Sequence, residues 1–154
     1  MRRTPHDQLP WRTYRRDTSM IFGQQEMSQI PKPSRANASQ VKDFGIAEDR
    51  SEEIGGYTVS FVSILAGHDL GLMLAGLPGG RCSCPHWGYV LQRELTVRYG
   101  GREEVMGAGE AFYMPPGHVP AATAGSEFVQ FSPTDQLQAV EAEIAKAIAQ
   151  MQGA

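Results

Sequence analysis

At 154 residues, 41% of them hydrophobic and 20% charged, the chain is long enough for one domain with a core and too short for two of ordinary size. Its 17 Gly and 10 Pro favour strands and turns over a helical bundle, and the formal charge of -3 is uneven: residues 1–20 carry five Arg against Asp7 and Asp17, leaving an acidic body. That body shows no recurring basic and aromatic face, which argues against nucleic acid as a partner, and its apolar runs break well short of the ~20 residues a membrane helix needs.

Residues 1–53 show no sustained period of 2 or 3.6 and collect Arg, Gln, Ser, Pro31 and Pro33, so they are expected to form an irregular or disordered arm that adds little to stability. Met20 or Met27 could equally be the start, and Lys42 to Glu53 is expected as loop or short helix. The arm lacks the apolar stretch of a secretory signal, and two Cys two positions apart exclude a disulfide framework; a cytoplasmic location with both thiols free is expected.

From residue 54 the texture changes. Tyr57 to Leu65 is β-branched and aromatic, Ala66 to Asp69 forms a turn that leaves His68 in solvent, and Leu70 to Leu77 is a second apolar run, expected to pair with the first. Further strands are expected within Arg81–Tyr99, Arg102–Met106, Ala111–Met114 and Glu127–Phe131. Short strands between Gly and Pro turns point to a sandwich or barrel over 54–131. Residues 132–154 close the chain: Ser132 offers an N-cap, Pro133 a first helical position, and Leu137, Val140, Ile144, Ile148 and Met151 an apolar face for a helix over about 134–151.

The chemistry-bearing residues fall in two places. In Cys82-Ser83-Cys84-Pro85-His86 a strand puts both thiols and the imidazole on one face, a donor set suited to zinc or another transition metal. In a straight strand Cys82 and His86 would lie ~13 Å apart, too far for one ion, so Cys84 with His86 is the reachable pair unless the strand bends near Pro85. Free Cys is also commonly just buried, and the packing and metal readings are evenly balanced for this cluster. The opposite face, Trp87, Tyr89, Leu91, Leu95, Val97 and Tyr99, is apolar and needs a cover; a two-fold homodimer is the simplest one. The second place is Gly109-Glu-Ala-Phe-Tyr-Met-Pro115-Pro116-Gly117-His118-Val-Pro120. Tyr113 and His118 are candidate proton donors or acceptors there. Gln130 could supply an amide contact, although most Tyr and Gln in strands serve packing.

This second stretch resembles the second motif of the cupin superfamily, G-x5-P-x-G-x2-H-x3-N, with Gly109, Pro115 and Gly117 in place; Pro120 and Ala124 stand where its His and Asn would be, and His118 lies two residues before. The first motif, G-x5-H-x-H-x3,4-E-x6-G, aligns with Gly80 and Cys82 in the His places, His86 in the Glu place and Arg93 in the Gly place. The resemblance implies a mostly β, double-stranded β-helix (jelly-roll) barrel. Its pocket would hold a divalent transition metal on Cys82, Cys84, His86 and His118, zinc first, with iron, manganese or nickel as other fits. It also implies a small-molecule ligand or substrate. The functional expectation is a metal-dependent enzyme of isomerase, lyase or oxygenase type. The alternatives are a non-catalytic metal- or ligand-binding or sensing module, and a dimeric structural protein with a vestigial pocket.

Overall fold

The computed structural model describes residues 30–153. The basic segment 2–16, His6 and the alternative starts Met20 and Met27 lie outside them. Ten strands and one helix follow in order: β1 (Gln40–Asp43), β2 (Ala47–Ile54), β3 (Tyr57–Ile64), β4 (His68–Asp69), β5 (His86–Gln92), β6 (Glu94–Tyr99), β7 (Arg102–Gly107), β8 (Ala111–Met114), β9 (Val119–Ala122), β10 (Glu127–Pro133) and α1 (Thr134–Gln152). They form a six-stranded sheet in the order β1-β2-β3-β10-β5-β8 and a four-stranded sheet in the order β4-β9-β6-β7, with antiparallel pairing throughout. Neighbours distant in sequence, such as β3 with β10 and β5 with β8, give the connectivity of a jelly roll. No helix among the described residues is long and apolar enough to cross a membrane.

The sequence expectation of an irregular arm over 1–53 is corrected from residue 40 onward. Lys42 to Glu53, expected as loop or helix, is instead β-structure. The apolar alternation that marks a half-buried strand is missing because the inward positions of β2 are Ala47, Asp49 and Ser51, all buried, while Glu48, Arg50 and Glu52 alternate with them. The second strand expected at Leu70–Leu77 is also absent. Leu70–Leu72 is a short 3-10 turn whose start is held by the Asp69 side chain accepting from Gly71 N–H, and β3 pairs with β2 and β10 instead. His68 belongs to β4, paired with Ala122, rather than to a turn. The helix starts at Thr134, as the expected range of about 134–151 has it, but Pro133 stands at the N-cap in place of Ser132, which stays in β10.

One main core lies between the sheets, built on Val90, Leu95, Val97, Phe112, Met114 and Phe128. Leu95 and Val97 are buried, whereas Trp87, Tyr89 and Leu91 remain about half exposed, so the single apolar face expected along 87–99 does not exist. The reason is Arg93, at φ 58°. A left-handed residue between β5 and β6 takes the chain from one sheet to the other and reverses its parity. Val90 and Leu95, an odd number of residues apart, both face the core. A second cluster of Leu74, Leu77, Cys82, Cys84, Leu137 and Val140 seats α1 against the 74–84 segment.

Gly88 and Arg93 are expected to respond in opposite directions. A Cβ at Gly88 would overlap the Phe112 ring and the Val129 carbonyl, so Gly88→Ala should cost about 1–3 kcal/mol or more. Arg93→Gly should relieve left-handed strain and stabilise by about 1 kcal/mol. Urea unfolding of the two variants checks both signs.

Candidate metal and ligand site

Cys82, His86 and His118 are brought together by two local devices. Cys82 pairs in antiparallel fashion with His118 through two backbone hydrogen bonds, Cys82 N–H to the His118 carbonyl at 2.9 Å and Gly117 N–H to the Cys82 carbonyl at 2.7 Å. The turn that delivers His118 needs a residue at φ 99°, which Gly117 supplies. The bend through Ser83-Cys84-Pro85 then returns His86, the first residue of β5, to within 3.5 Å (Nε2) of the Cys82 sulfur. Because the segment is bent, the pair that meets is Cys82 with His86, and not the Cys84 with His86 expected of a straight strand.

The ligand atoms of Cys82, His86 and His118 all lie within 4.8 Å of one another, and the two imidazole centroids are 5.1 Å apart, edge to face. All three residues are buried. Each histidine is oriented through Nδ1. That of His118 donates to the Pro115 carbonyl at 2.7 Å, and that of His86 lies 2.6 Å from the Ser132 hydroxyl. His118 Nε2, buried, has no hydrogen-bond partner among the described residues. A histidine whose Nδ1–H is fixed by a carbonyl presents its Nε2 lone pair, which is the tautomer a metal requires.

Electrostatics prepare the same state. Burial, and next the neighbouring His118, push the His86 imidazole down to about 3. Burial lowers His118 as well, against a smaller opposing effect of the Pro115 hydrogen bond. Burial raises the Cys82 thiol, partly offset by its contact with the Cys84 carbonyl. A thiolate–imidazolium nucleophile would need shifts in the other directions, so the trio is not built as a cysteine-protease-like pair. Two neutral imidazoles and one thiol fit a divalent transition metal, with three protein donors and a fourth position left to a ligand.

Two residues expected in the site lie elsewhere. Cys84 is fully buried in the Leu137–Val140 cluster, its sulfur 3.5 Å from the Pro85 carbonyl, and burial pushes its thiol up to about 12; it is not part of the trio. Tyr113 is exposed on the outer face of β8, stacked on Trp87 at 5.0 Å, because the alternation along β8 turns Phe112 and Met114 inward. It cannot serve the interior as a proton donor.

The trio lies on the wall of a cavity of about 160 Å³ that is otherwise mostly hydrocarbon, with Ile64, Met114, Phe128 and the α1 residues Leu137 and Ile144 among its lining. Gln130, for which packing was the favoured expectation, also lines it. Sequence reasoning missed two residues. Ser132, read as a helix cap, is the orienting partner of His86. Asp49 lines the cavity from β2 with its Oδ2 accepting from the Ser60 hydroxyl at 3.2 Å and its Oδ1 without a hydrogen-bond partner among the described residues. No sequence signal marked it, since it stands in a run of acidic residues that resembles a solvated segment.

Neither a protein-family model nor a curated protein matches the sequence. Solved structures do match. One is a protein of unknown function from Rhizobium leguminosarum bv. viciae 3841, 21% identical over 68% of this chain and 95% of that one, with a TM-score of 0.51. Others include an RmlC-like cupin from Shewanella frigidimarina, 18% identical over 61% of this chain and 83% of that one (TM-score 0.45), and KdgF from Halomonas sp., 18% identical over 61% and 86% (TM-score 0.43). The architecture is that of a double-stranded β-helix, or jelly roll: two antiparallel sheets, with Gly109 and Gly117 at positive φ and Arg93 left-handed.

Asp49 makes a pH-dependent prediction. Burial, only partly offset by Lys42, raises its carboxyl from 3.8 to about 6, with Glu141 adding to the rise. Between these values the native state holds a proton that the unfolded chain has released. Asp49 therefore lowers stability as pH rises through that window, and the cost is full above pH 6. Asp49→Asn should stabilise the protein at pH 8 by at most about 3 kcal/mol and have little effect at pH 4. Thermal unfolding at the two pH values checks this; equal effects at both would contradict it.

Proposed function

We propose that this chain is a metal-dependent, small-molecule-binding cupin in which Cys82, His86 and His118 hold one divalent transition metal, zinc fitting the donor set best. The observation that carries the reading is the buried trio itself, with His118 Nε2 unpartnered on the cavity wall. Bound there, the metal would act as a Lewis acid toward a ligand oxygen or would activate water. The protein's own share is to fix the donors. Pro115 and Ser132 lock the two imidazoles, and the hydrocarbon lining excludes water from the reacting end of the ligand. With Nε2 given to metal and Nδ1 to the Pro115 carbonyl, His118 is a ligand rather than a proton carrier. Three donors and an open position favour turnover over a closed structural site, in a reaction of isomerase, lyase or oxygenase type. Two free thiols suit a reducing, cytoplasmic setting.

Elemental analysis of protein purified without added metal should find about one transition-metal ion per chain. Cys82→Ser, His86→Ala and His118→Ala should each lose it, Ser132→Ala should weaken it by about 10–100-fold, and Cys84→Ser should retain it. Metal-free wild-type protein that also fails to take up zinc would refute the reading.

The assembly proposed is a homodimer through the outer face of the six-stranded sheet. There Trp87, Tyr89, Leu91, Tyr113 and Phe131 stand about half exposed on adjacent strands, with Phe131 and Tyr113 flanking Trp87 in register. Contiguous apolar faces of this kind are rare on monomers, and closed two-fold contacts are the commonest cover. Light scattering should report twice the 16.9 kDa chain mass, and Trp87→Glu should return it to one chain.

A further inference from the structure

We propose that the cavity takes a small, largely apolar molecule bearing a protonated amine, and that Asp49 is the residue that holds the amine. The proposal rests on the cavity being a ligand site, as above, but not on the metal.

Asp49 belongs to β2, where it stands opposite Lys42 of β1 and Val62 of β3. It is 8% exposed, and its side chain reaches the cavity wall. Of its two oxygens, Oδ2 accepts from Ser60 on β3, and Oδ1 has no partner among the described residues. The charged groups that face it are Lys42 from β1 and Glu141 from α1. The Lys42 ammonium is already held by both Glu141 oxygens, at 2.8 and 2.7 Å. One cation and two carboxylates leave the group one negative charge in excess whenever Asp49 is ionised.

A buried carboxylate with an oxygen lacking a partner is among the costlier features a fold can carry, and a well-packed alternative would need neither the charge nor that oxygen. The ligand group that relieves it must donate a hydrogen bond to Oδ1, which alcohols and amines both do. Only an ammonium also cancels the excess charge, and charge-assisted bonds of this kind are the stronger ones. An anionic group at this end would meet two carboxylates and be repelled. The cavity that Asp49 lines is also lined by Phe44, Ile46 and Val62 from the β1–β3 side and by Leu137 and Val140 from α1, so the body attached to the amine is hydrocarbon. Cys82, His86 and His118 line the same cavity.

Titration calorimetry tests this with three probes of one shape: 3-methylbutylamine, 3-methylbutan-1-ol and 3-methylbutanoate. At pH 8 the wild-type protein should bind the amine at least about tenfold more tightly than the alcohol, one charge-assisted contact being worth that much, and the carboxylate least. At pH 5 the amine is still protonated but Asp49 is mostly protonated, and the preference for amine over alcohol should fall steeply. Asp49→Asn, which preserves shape, should bind amine and alcohol within about twofold of each other at pH 8, the charge-assisted contact being gone. Cys82→Ser should lose metal yet keep the amine preference, which separates this proposal from the metal reading. A wild-type protein that binds none of the three, that shows no amine preference at pH 8, or that keeps it at pH 5 would overturn the proposal.

Discussion

At Arg93 the chain leaves one sheet for the other, and the left-handed backbone there sets which side chains of a fourteen-residue stretch are buried. β5 delivers His86 and Val90 inward; β6 delivers Leu95 and Val97. Had the backbone continued in extended form, the second pair would have faced away from the first, and the sandwich would have no core at its narrow side. An L-residue pays roughly 1–2 kcal/mol to sit at such a φ. Burial of two large aliphatic side chains, each worth about 1.5–3 kcal/mol, outweighs it. The Arg93 side chain runs past Gly125, where any Cβ would strike its guanidinium stem, so the turn before β10 is shaped to this hinge as well.

The same burial that makes the core sets the chemistry at its end. Desolvation is the first cause of the shifts at Cys82, His86, His118 and Asp49 alike, and in each case it favours the neutral form. For the histidines that neutral form is the ligand form, so the imidazoles need lose no proton to bind a metal near neutral pH. For Cys82 it is not, and a divalent ion bound there would have to displace the thiol proton, which would tie affinity to pH. Shape and charge are thus set by the same wall.

How much of this could be read from the residues alone follows from where alternation survives. β8, β10 and α1 carry conventional patterns, and their ranges were legible to within one or two residues. Gly109 and Gly117 were legible too, because glycines at fixed spacing report backbone conformation rather than side-chain chemistry. β2 was not legible. Its buried face is Ala47, Asp49 and Ser51, and a strand whose inward side is polar looks like a solvated acidic run. The parity reversal at Arg93 was hidden because no local rule assigns a left-handed conformation to an arginine. The one-face expectation for Cys82, Cys84 and His86 failed for a related reason: Pro85 bends the segment, so residues four apart meet while the one between them is turned into a different cluster. Ser132 shows the limit of local capping rules, since its hydroxyl found a buried imidazole forty-six residues away instead of a helix N–H.

The covering helix has a part in the charge of the cavity beyond closing it. α1 is fastened to the six-stranded sheet by Thr134 to Thr58, by Gln138 to Glu53 and by Glu141 to Lys42. The last of these takes up the cation that stands across from Asp49 on the neighbouring strand. Were Lys42 free to turn to Asp49, the carboxylate would be neutralised from within. With the helix in place, the ammonium serves α1, Asp49 keeps an open oxygen, and hydrocarbon from the same helix lies over it. Packing of α1 and the pairing of Lys42 away from Asp49 are therefore one arrangement.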